Sequence, residues 1–386
     1  MPWNEVTLMK ERMSLVLEVE SEEASVAQLC REHGVSRKTA YKWLARFREE
    51  GVDGLRDRSR APHSHPQAVD DGMRQVLVDV RRKHPTWGPR KVRAWVGKRH
   101  PQDTLPAAST VGDWFKTEGL VIARRKRARV PARPLPGNVP SAPNALWTAD
   151  FKGQFRLGNG QYCYPLTIAD YASRYVLCCQ GVSAPRTELA APLFDRLFRE
   201  YGLPDAIRTD NGCPFCSVGA GGLSRLSIRW IKVGIRHEPI QPAHPEQNGA
   251  HERMHRTLKE EATRPPQATF RAQQNRFNHF LDVYNHERPH EALGMEVPAH
   301  FYHPSPRPYR RPPKDMAYPA GYLERRVRHN GEVKWVGQRV YLGQNLAGEI
   351  VGLKEADQDC WQIYFGPVLL GLLIQRRAQV QFKPRR

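Results

Sequence analysis

Apolar residues recur at helical spacing between residues 5 and 50, most regularly in SVAQLCREHGVSRKTAYKWLARFREEG. Val26, Leu29 and Cys30 share one helical face. Gly34 supplies a tight turn, and Ser36 is placed to cap a second helix that continues through Trp43, Leu44 and Phe47. Two short helices joined by a glycine turn predict a helix-turn-helix over 1–55. Its second helix leaves Arg37, Lys38, Tyr41 and Lys42 on the exposed side. These side chains are long enough to reach phosphates and base edges in a major groove. A plain helical hairpin would show the same periodicity. Residues 51–70 lose the periodicity among Gly, Pro, Ser and Arg and read as a linker.

Helical spacing resumes over 70–121, interrupted near Pro85 and Pro101. Arg90, Lys91 and Arg93 cluster at one helix start, and Ser109 and Thr110 precede a last helix, VGDWFKTEGLV. This segment predicts a second small helical DNA-binding domain. Residues 122–142 follow as a basic, proline-rich linker, with Arg124, Arg125, Lys126, Arg127 and Arg129 forming either a DNA-tracking arm or a solvated spacer.

From residue 143 the pattern changes. LWTADFKGQF, YCYPLTIADY and RYVLCCQGV are strand-like runs separated by turn residues. TELAAPLFDRLFREYG is an amphipathic helix, AIRTDNG and IRHEPI are short strands, and EQNGAHERMHRTLKEEA and 268–286 are helices. Strands, helix, strand and further helices in that order predict an α/β domain over 143–303. Residues 304–320 are again rich in proline. Short alternating runs over 321–386 predict a small all-β barrel with a basic tail. The expected fold is therefore multidomain α/β, with N-terminal helix-turn-helix domains and a small C-terminal barrel.

Charge sharpens this division. The 386-residue chain has a formal net charge of +20. Residues 1–142 carry 27 basic and 17 acidic side chains, residues 143–303 carry 18 and 16, and residues 304–386 carry 15 and 7. Two basic flanks around a nearly neutral centre fit phosphate-gripping modules around a core whose acids do chemistry. The seven cysteines are irregularly spaced in a long chain, which does not suggest a secreted disulfide framework. The N-terminus has no apolar signal segment. The longest apolar run, Pro367 to Ile374, falls far short of the roughly 20 residues of a membrane helix. The expectation is a cytoplasmic protein that binds no membrane.

The central segment offers carboxylates from separate elements. Asp150 lies in its first strand, Asp210 ends a later strand before Asn211-Gly212, and Glu252 lies in a helix. On that helix, Ala250, Met254 and Leu258 fall on one side and Glu252, Arg256 and Lys259 on the other. One face can pack on the sheet while the other presents a carboxylate and two cations. A solvated face with a Glu252–Arg256 pair would look the same.

WTADF, RTDNG and PEQNGAHERMHRTLKEE resemble the motifs of the retroviral integrase core superfamily, and more closely those of its bacterial insertion-sequence transposases. YNHERPHEALG (284–294) resembles the stretch that follows the core in those transposases. The similarity covers 143–303, and the helix-turn-helix more loosely. It implies an RNase H-like catalytic core in which Asp150, Asp210 and Glu252 are the catalytic acids and hold two Mg²⁺ (or Mn²⁺) ions. Arg256 and Lys259 match basic positions that touch DNA ends. The implied partners are double-stranded DNA, both element ends and target, with the protein acting as a homodimer or higher oligomer. The implied chemistry is phosphodiester hydrolysis followed by 3′-OH strand transfer, with no covalent protein–DNA intermediate. A metal-dependent nuclease without strand transfer would carry the same acids, and a non-catalytic regulator would be expected to lose them.

The retroviral members place 35 residues between their second Asp and the Glu, whereas Asp210 to Glu252 leaves 41. Counting alone selects Glu246. That residue sits at the helix start, where an acid meets the helix dipole favourably, and the motif aligns Gly249 and Glu252 instead. An insertion near GAGGLS (219–224) would absorb the difference. Asp170 reads as a turn or structural residue. His244, His251 and His255 surround Glu252 and are expected to meet DNA or solvent rather than metal. Cys213-Pro-Phe-Cys216 is a single CxxC without two further ligands in sight for a structural zinc.

Overall fold

Serine caps open two of the first three helices. Ser25 accepts from the Gln28 N–H and Ser36 from the Thr39 N–H. The computed structural model describes residues 5–22, 24–58, 70–121, 140–241, 244–376 and 379–384. It divides into two compact units, Met1–Ala68 and Val69–Arg386. The first holds α1 (Glu5–Glu20), α2 (Val26–Glu32) and α3 (Arg37–Glu50). Gly34 has φ +63° in the turn between α2 and α3, a conformation that glycine adopts without strain. Leu15, Leu29, Cys30 and Ala40 form one small core, and Val16, Trp43, Leu44 and Leu55 another. Arg37, Lys38, Tyr41 and Lys42 are all exposed along α3, with the Lys42 ammonium 4.9 Å from the Trp43 ring centre.

The second unit opens with α4 (Asp71–Lys83), α5 (Pro89–Arg99) and α6 (Ala108–Thr117), packed around Leu77, Trp87, Val92, Val96, Val111 and Phe115. The basic run Arg124–Arg129 lies outside the described residues.

A six-stranded sheet follows, built from β1 (Trp147–Phe151), β2 (Phe155–Arg156), β3 (Tyr162–Asp170), β4 (Val176–Val182), β5 (Ala206–Thr209) and β6 (Arg236–Pro239). β3 pairs antiparallel with β1, β2 and β4, while β5 pairs parallel with both β1 and β6. Helices α7 (Thr187–Tyr201) and α8 (Arg225–Lys232) cover one face through Phe194, Leu197, Phe198, Leu226 and Trp230. Helices α9 (Gly249–Ala262) and α10 (Phe270–Asp282) cover the other through Met254, Leu258, Phe277 and Phe280. The pleat sorts β1 accordingly. Trp147 and Ala149 enter the α7/α8 core, and Thr148 and Asp150 face α9. Helix α8 was not among the sequence expectations. Its polar contrast is clear, with Arg225 and Arg229 exposed and Leu226, Ile228, Trp230 and Ile231 buried, but eight residues make only about two turns, too short a run to stand out from the loop around it.

The stretch 284–294 ties the sheet to the helices before it. The Asn285 amide accepts from the Val176 N–H and donates to the Val176 carbonyl, both at 2.9 Å. Buried Arg288 donates to Glu261 of α9 at 2.7 Å and to Thr86 at 3.2 Å, and Thr86 also donates to Glu261. Val283 completes the α4–α6 core.

The C-terminal part forms β7 (Leu323–Arg326), β8 (Glu332–Trp335), β9 (Gln338–Tyr341), β10 (Ile350–Asp357), β11 (Cys360–Phe365), β12 (Val368–Arg376) and β13 (Gln379–Pro384). The expected barrel is replaced by an open antiparallel sheet in the order β13-β12-β11-β10-β7, plus a β8–β9 hairpin, and among the described residues no pairing joins β7 to β13. The reason is what covers its apolar face. Val333, Trp335 and Val340 of the hairpin pack there with Ala220, Leu223, Ile228 and Ile231 of the α/β domain. A sheet that buries its face against other elements need not close on itself. Ala220 and Leu223 belong to the GAGGLS segment, so the expected insertion site is where this sheet docks. Part of the expected basic tail is strand β13. No described helix is long and apolar enough to cross a membrane.

Candidate active site

Asp150 and Asp210 are brought together by the parallel pairing of β1 with β5. The register pairs Trp147 with Ile207, Thr148 with Arg208 and Ala149 with Thr209. Asp150 and Asp210 are the next residues on each chain, so both carboxylates leave the carboxyl ends of adjacent strands on one face. Open α/β sheets present ligand sites at such strand ends. Asp210 accepts the Gly212 N–H at 3.2 Å, and the Asn211 amide donates to the Ile240 carbonyl at 2.9 Å, which holds the turn after β5.

Glu252 arrives on the first turn of α9, exposed beside Arg253, Arg256 and Lys259. Neither Arg256 nor Lys259 forms an ion pair among the described residues. The turn before α9 is tied to β5, because Arg208 donates to the Gln247 carbonyl at 3.4 Å and to Glu238 at 3.1 Å. Burial pushes the Asp150 carboxyl up to about 7, helped by the negative charges of Asp210 and Glu252 and opposed by Lys152. Burial also raises Asp210. The charges of Asp210 and Glu252 thus reach Asp150, but among the described residues the three acids do not close to within 4.8 Å of one another. Glu246 instead lies in the turn before α9, paired with His244 Nδ1 at 2.8 Å.

His251 and His255 do not meet DNA or solvent. They are 2% and 6% exposed and face the sheet. His251 Nδ1 lies 2.8 Å from Thr148 Oγ1 and its Nε2 lies 2.7 Å from Thr167 Oγ1. His255 Nε2 lies 2.6 Å from the same Thr167 hydroxyl, and its Nδ1 is 3.7 Å from Asp150 Oδ2. Two threonines on neighbouring strands satisfy both nitrogens of His251 and Nε2 of His255, which helps the sheet side tolerate histidine. Burial pushes His251 down to about 3 and lowers His255 as well, so both are neutral. Thr148 and Thr167 were missed by sequence reasoning; single threonines in strands carry no signal of their own.

The remaining candidates fall outside the acid cluster. Asp170 accepts from Ser173 and from the Asn144 N–H, as expected of a turn residue. Cys213 is exposed, Cys216 half-buried, and neither joins a metal-ligand group among the described residues.

The mixed sheet covered by helices on both faces has the layout of an RNase H-like domain. Residues 140–245 and 233–298 match integrase core domain families, residues 11–63 match a helix-turn-helix domain, and residues 39–115 match a homeodomain-like domain. The chain is 27% identical over 242 residues to an uncharacterized 31.7 kDa protein of insertion element IS407 from Burkholderia multivorans, covering 61% of this chain and 82% of that protein. It is 26% identical to an uncharacterized 39.2 kDa protein of insertion element IS476 from Xanthomonas euvesicatoria, covering 61% and 66%. The HTLV-2 integrase catalytic core domain in complex with magnesium superposes with a TM-score of 0.34 at 17% identity, over 42% of this chain and 98% of that one. Residues 140–298 thus carry an integrase core domain, and the chain is similar to proteins of bacterial insertion elements.

Proposed function

We propose that the protein is a DNA transposase that binds the ends of a mobile element, hydrolyses a phosphodiester there and joins the freed 3′-OH to target DNA. The placing of Asp150 and Asp210 at adjacent strand ends, with the charge of Glu252 reaching Asp150, carries this reading. The domain division that goes with it is a helix-turn-helix at 1–55, a helical domain at 70–121, a linker at 122–142, the catalytic core at 143–303 and a β domain at 321–386.

The residues present fit divalent metal. The donors are hard carboxylate oxygens, and Asp150, raised first by burial and then by the charge of Asp210, is an anion that a divalent cation would stabilise. Asp150, Asp210 and Glu252 would hold Mg²⁺ or Mn²⁺, two ions in the full site. When bound, such ions favour ionisation of the attacking hydroxyl or water and stabilise the departing oxygen.

The chain's own groups do the rest. The paired strands fix the two aspartates, and α9, keyed to the sheet by His251, sets the reach of Glu252. Arg256 and Lys259 on the same helix face hold the phosphates that flank the scissile bond. In the first step a water oxygen bonds to phosphorus while the 3′ oxygen leaves and takes up a proton. In the second that 3′-OH attacks a target phosphodiester, loses its proton, and displaces the target's own 3′ oxygen. Arg37, Lys38, Tyr41 and Lys42 on α3 read the element ends. Two ends must be handled together, which calls for a homodimer or larger assembly on DNA. The test is an assay that scores end cleavage and end joining separately with Asp150→Asn, Asp210→Asn and Glu252→Gln variants.

A further inference from the structure

Hydrogen-bond counting around Thr167 leaves one acceptor unmatched. The Thr167 hydroxyl has one proton and two lone pairs, and three partners surround it: the Asp150 carbonyl at 3.0 Å, His251 Nε2 at 2.7 Å and His255 Nε2 at 2.6 Å. The carbonyl can only accept, and with the hydroxyl proton placed on it both Nε2 atoms donate. His251 Nδ1 is then a lone pair and accepts the Thr148 hydroxyl at 2.8 Å, nearer to that hydroxyl than the Ala169 carbonyl at 3.3 Å. His255 Nδ1 is also a lone pair, and it faces Asp150 Oδ2 at 3.7 Å. With Asp150 ionised, two acceptors face each other at the edge of the site, where the side chains of His255 and Asp150 are 8% and 19% exposed.

A shared proton would draw such a pair together to roughly 2.6–2.9 Å. A separation of 3.7 Å instead suits two ligands of one cation, each at about 2.0–2.2 Å. His251 can be set aside, although its nitrogens lie within 4.8 Å of the other two donors. Both of its nitrogens are committed to threonines.

We propose that His255 Nδ1 is a nitrogen ligand of the ion held by Asp150, so that this position favours a transition-metal ion such as Mn²⁺ over Mg²⁺. Imidazole suits borderline ions, while Mg²⁺ prefers an all-oxygen shell. The proposal rests on the reading of Asp150 as a metal-holding residue. It assigns α9 two duties at the site: Glu252 supplies an oxygen from the exposed face and His255 a nitrogen from the buried one.

The experiment is pulsed EPR of Mn²⁺ bound to the full-length protein, with Mg²⁺ competition, for wild type, His255→Gln and Asp150→Asn. Glutamine places its amide nitrogen near the position of Nε2 and keeps the bond to Thr167, but has nothing at Nδ1. Wild type is expected to show ¹⁴N coupling to Mn²⁺. His255→Gln is expected to lose that coupling, to bind Mn²⁺ at least about tenfold more weakly and to discriminate less against Mg²⁺. Asp150→Asn should lose the ion. Absence of ¹⁴N coupling in wild type overturns the proposal whether or not the variant folds, and so does coupling that survives in His255→Gln. If Mn²⁺ binding in Asp150→Asn equals that of wild type, the failure lies in the reading of Asp150 itself.

Discussion

Asp150 and Asp210 stand one step beyond the paired residues Ala149 and Thr209 on adjacent parallel strands. Their equivalence follows from the register of the sheet and needs no loop to adjust it. A shift of one residue in that pairing would turn one carboxylate to the opposite face, into the core of Phe194 and Trp230.

Recognition of element ends is proposed for α3. Arg37→Ala or Lys38→Ala should weaken binding to end DNA by about 1–3 kcal/mol if a bidentate base contact is lost. Each phosphate contact removed should also make the slope of log affinity against log salt shallower by about 0.9. Titrations of wild type and variants on end and random duplexes check both. Unchanged discrimination between the two DNAs in the double variant would remove α3 from this role.

Much of this was legible in the chain. The cap at Ser36, the turn at Gly34 and the three acids each have a local signature, because caps, turns and motif spacing are properties of neighbouring residues. The burial of α9 was only half legible. Met254 and Leu258 mark its inner stripe, but the stripe also runs through His251 and His255, and what makes them acceptable inside is a pair of threonines on other strands. The open C-terminal sheet was illegible for a related reason. Alternating strands show that a face must be buried, but not that α8 and Ala220 will bury it.

The seam between the early helices and the core should depend on Arg288. It is 7% exposed and its partner is Glu261. Glu261→Ala leaves a buried guanidinium without its counter-charge and should destabilise the second unit by about 3–5 kcal/mol, the usual cost of breaking a buried pair from one side. Urea denaturation measures this. A loss below about 1 kcal/mol would show that solvent reaches Arg288 and that the seam is not held there.

Acid should act on the same seam through His290. Burial, with Lys91 and Arg288 nearby, lowers its pKa to about 3 from an ordinary value near 6.5. A depressed folded-state value means that the unfolded chain takes up the proton first. The neutral ring's stability is therefore complete above about pH 6.5 and is lost as pH falls toward 3. In wild type minus His290→Gln, the other titrating groups cancel. That difference in unfolding free energy should shift against wild type by up to about 1.4 kcal/mol per pH unit between pH 6.5 and 4. Urea melts at pH 7, 5.5 and 4 check it, and a pH-independent difference would show that His290 is not buried in its neutral form.

The most direct test of the account is end cleavage and joining with labelled duplexes, comparing Glu252→Gln with Glu246→Gln beside the two aspartate variants. Glu252 bears on Asp150 from the first turn of α9, whereas Glu246 is occupied with His244. Asp150→Asn, Asp210→Asn and Glu252→Gln should each lose both activities by at least about 10²–10³-fold, the scale of removing one electrostatic stabiliser of the transition state, while still binding DNA. Glu246→Gln should stay active. An inactive Glu246→Gln beside an active Glu252→Gln, or near-normal joining in either aspartate variant, would contradict the site described here.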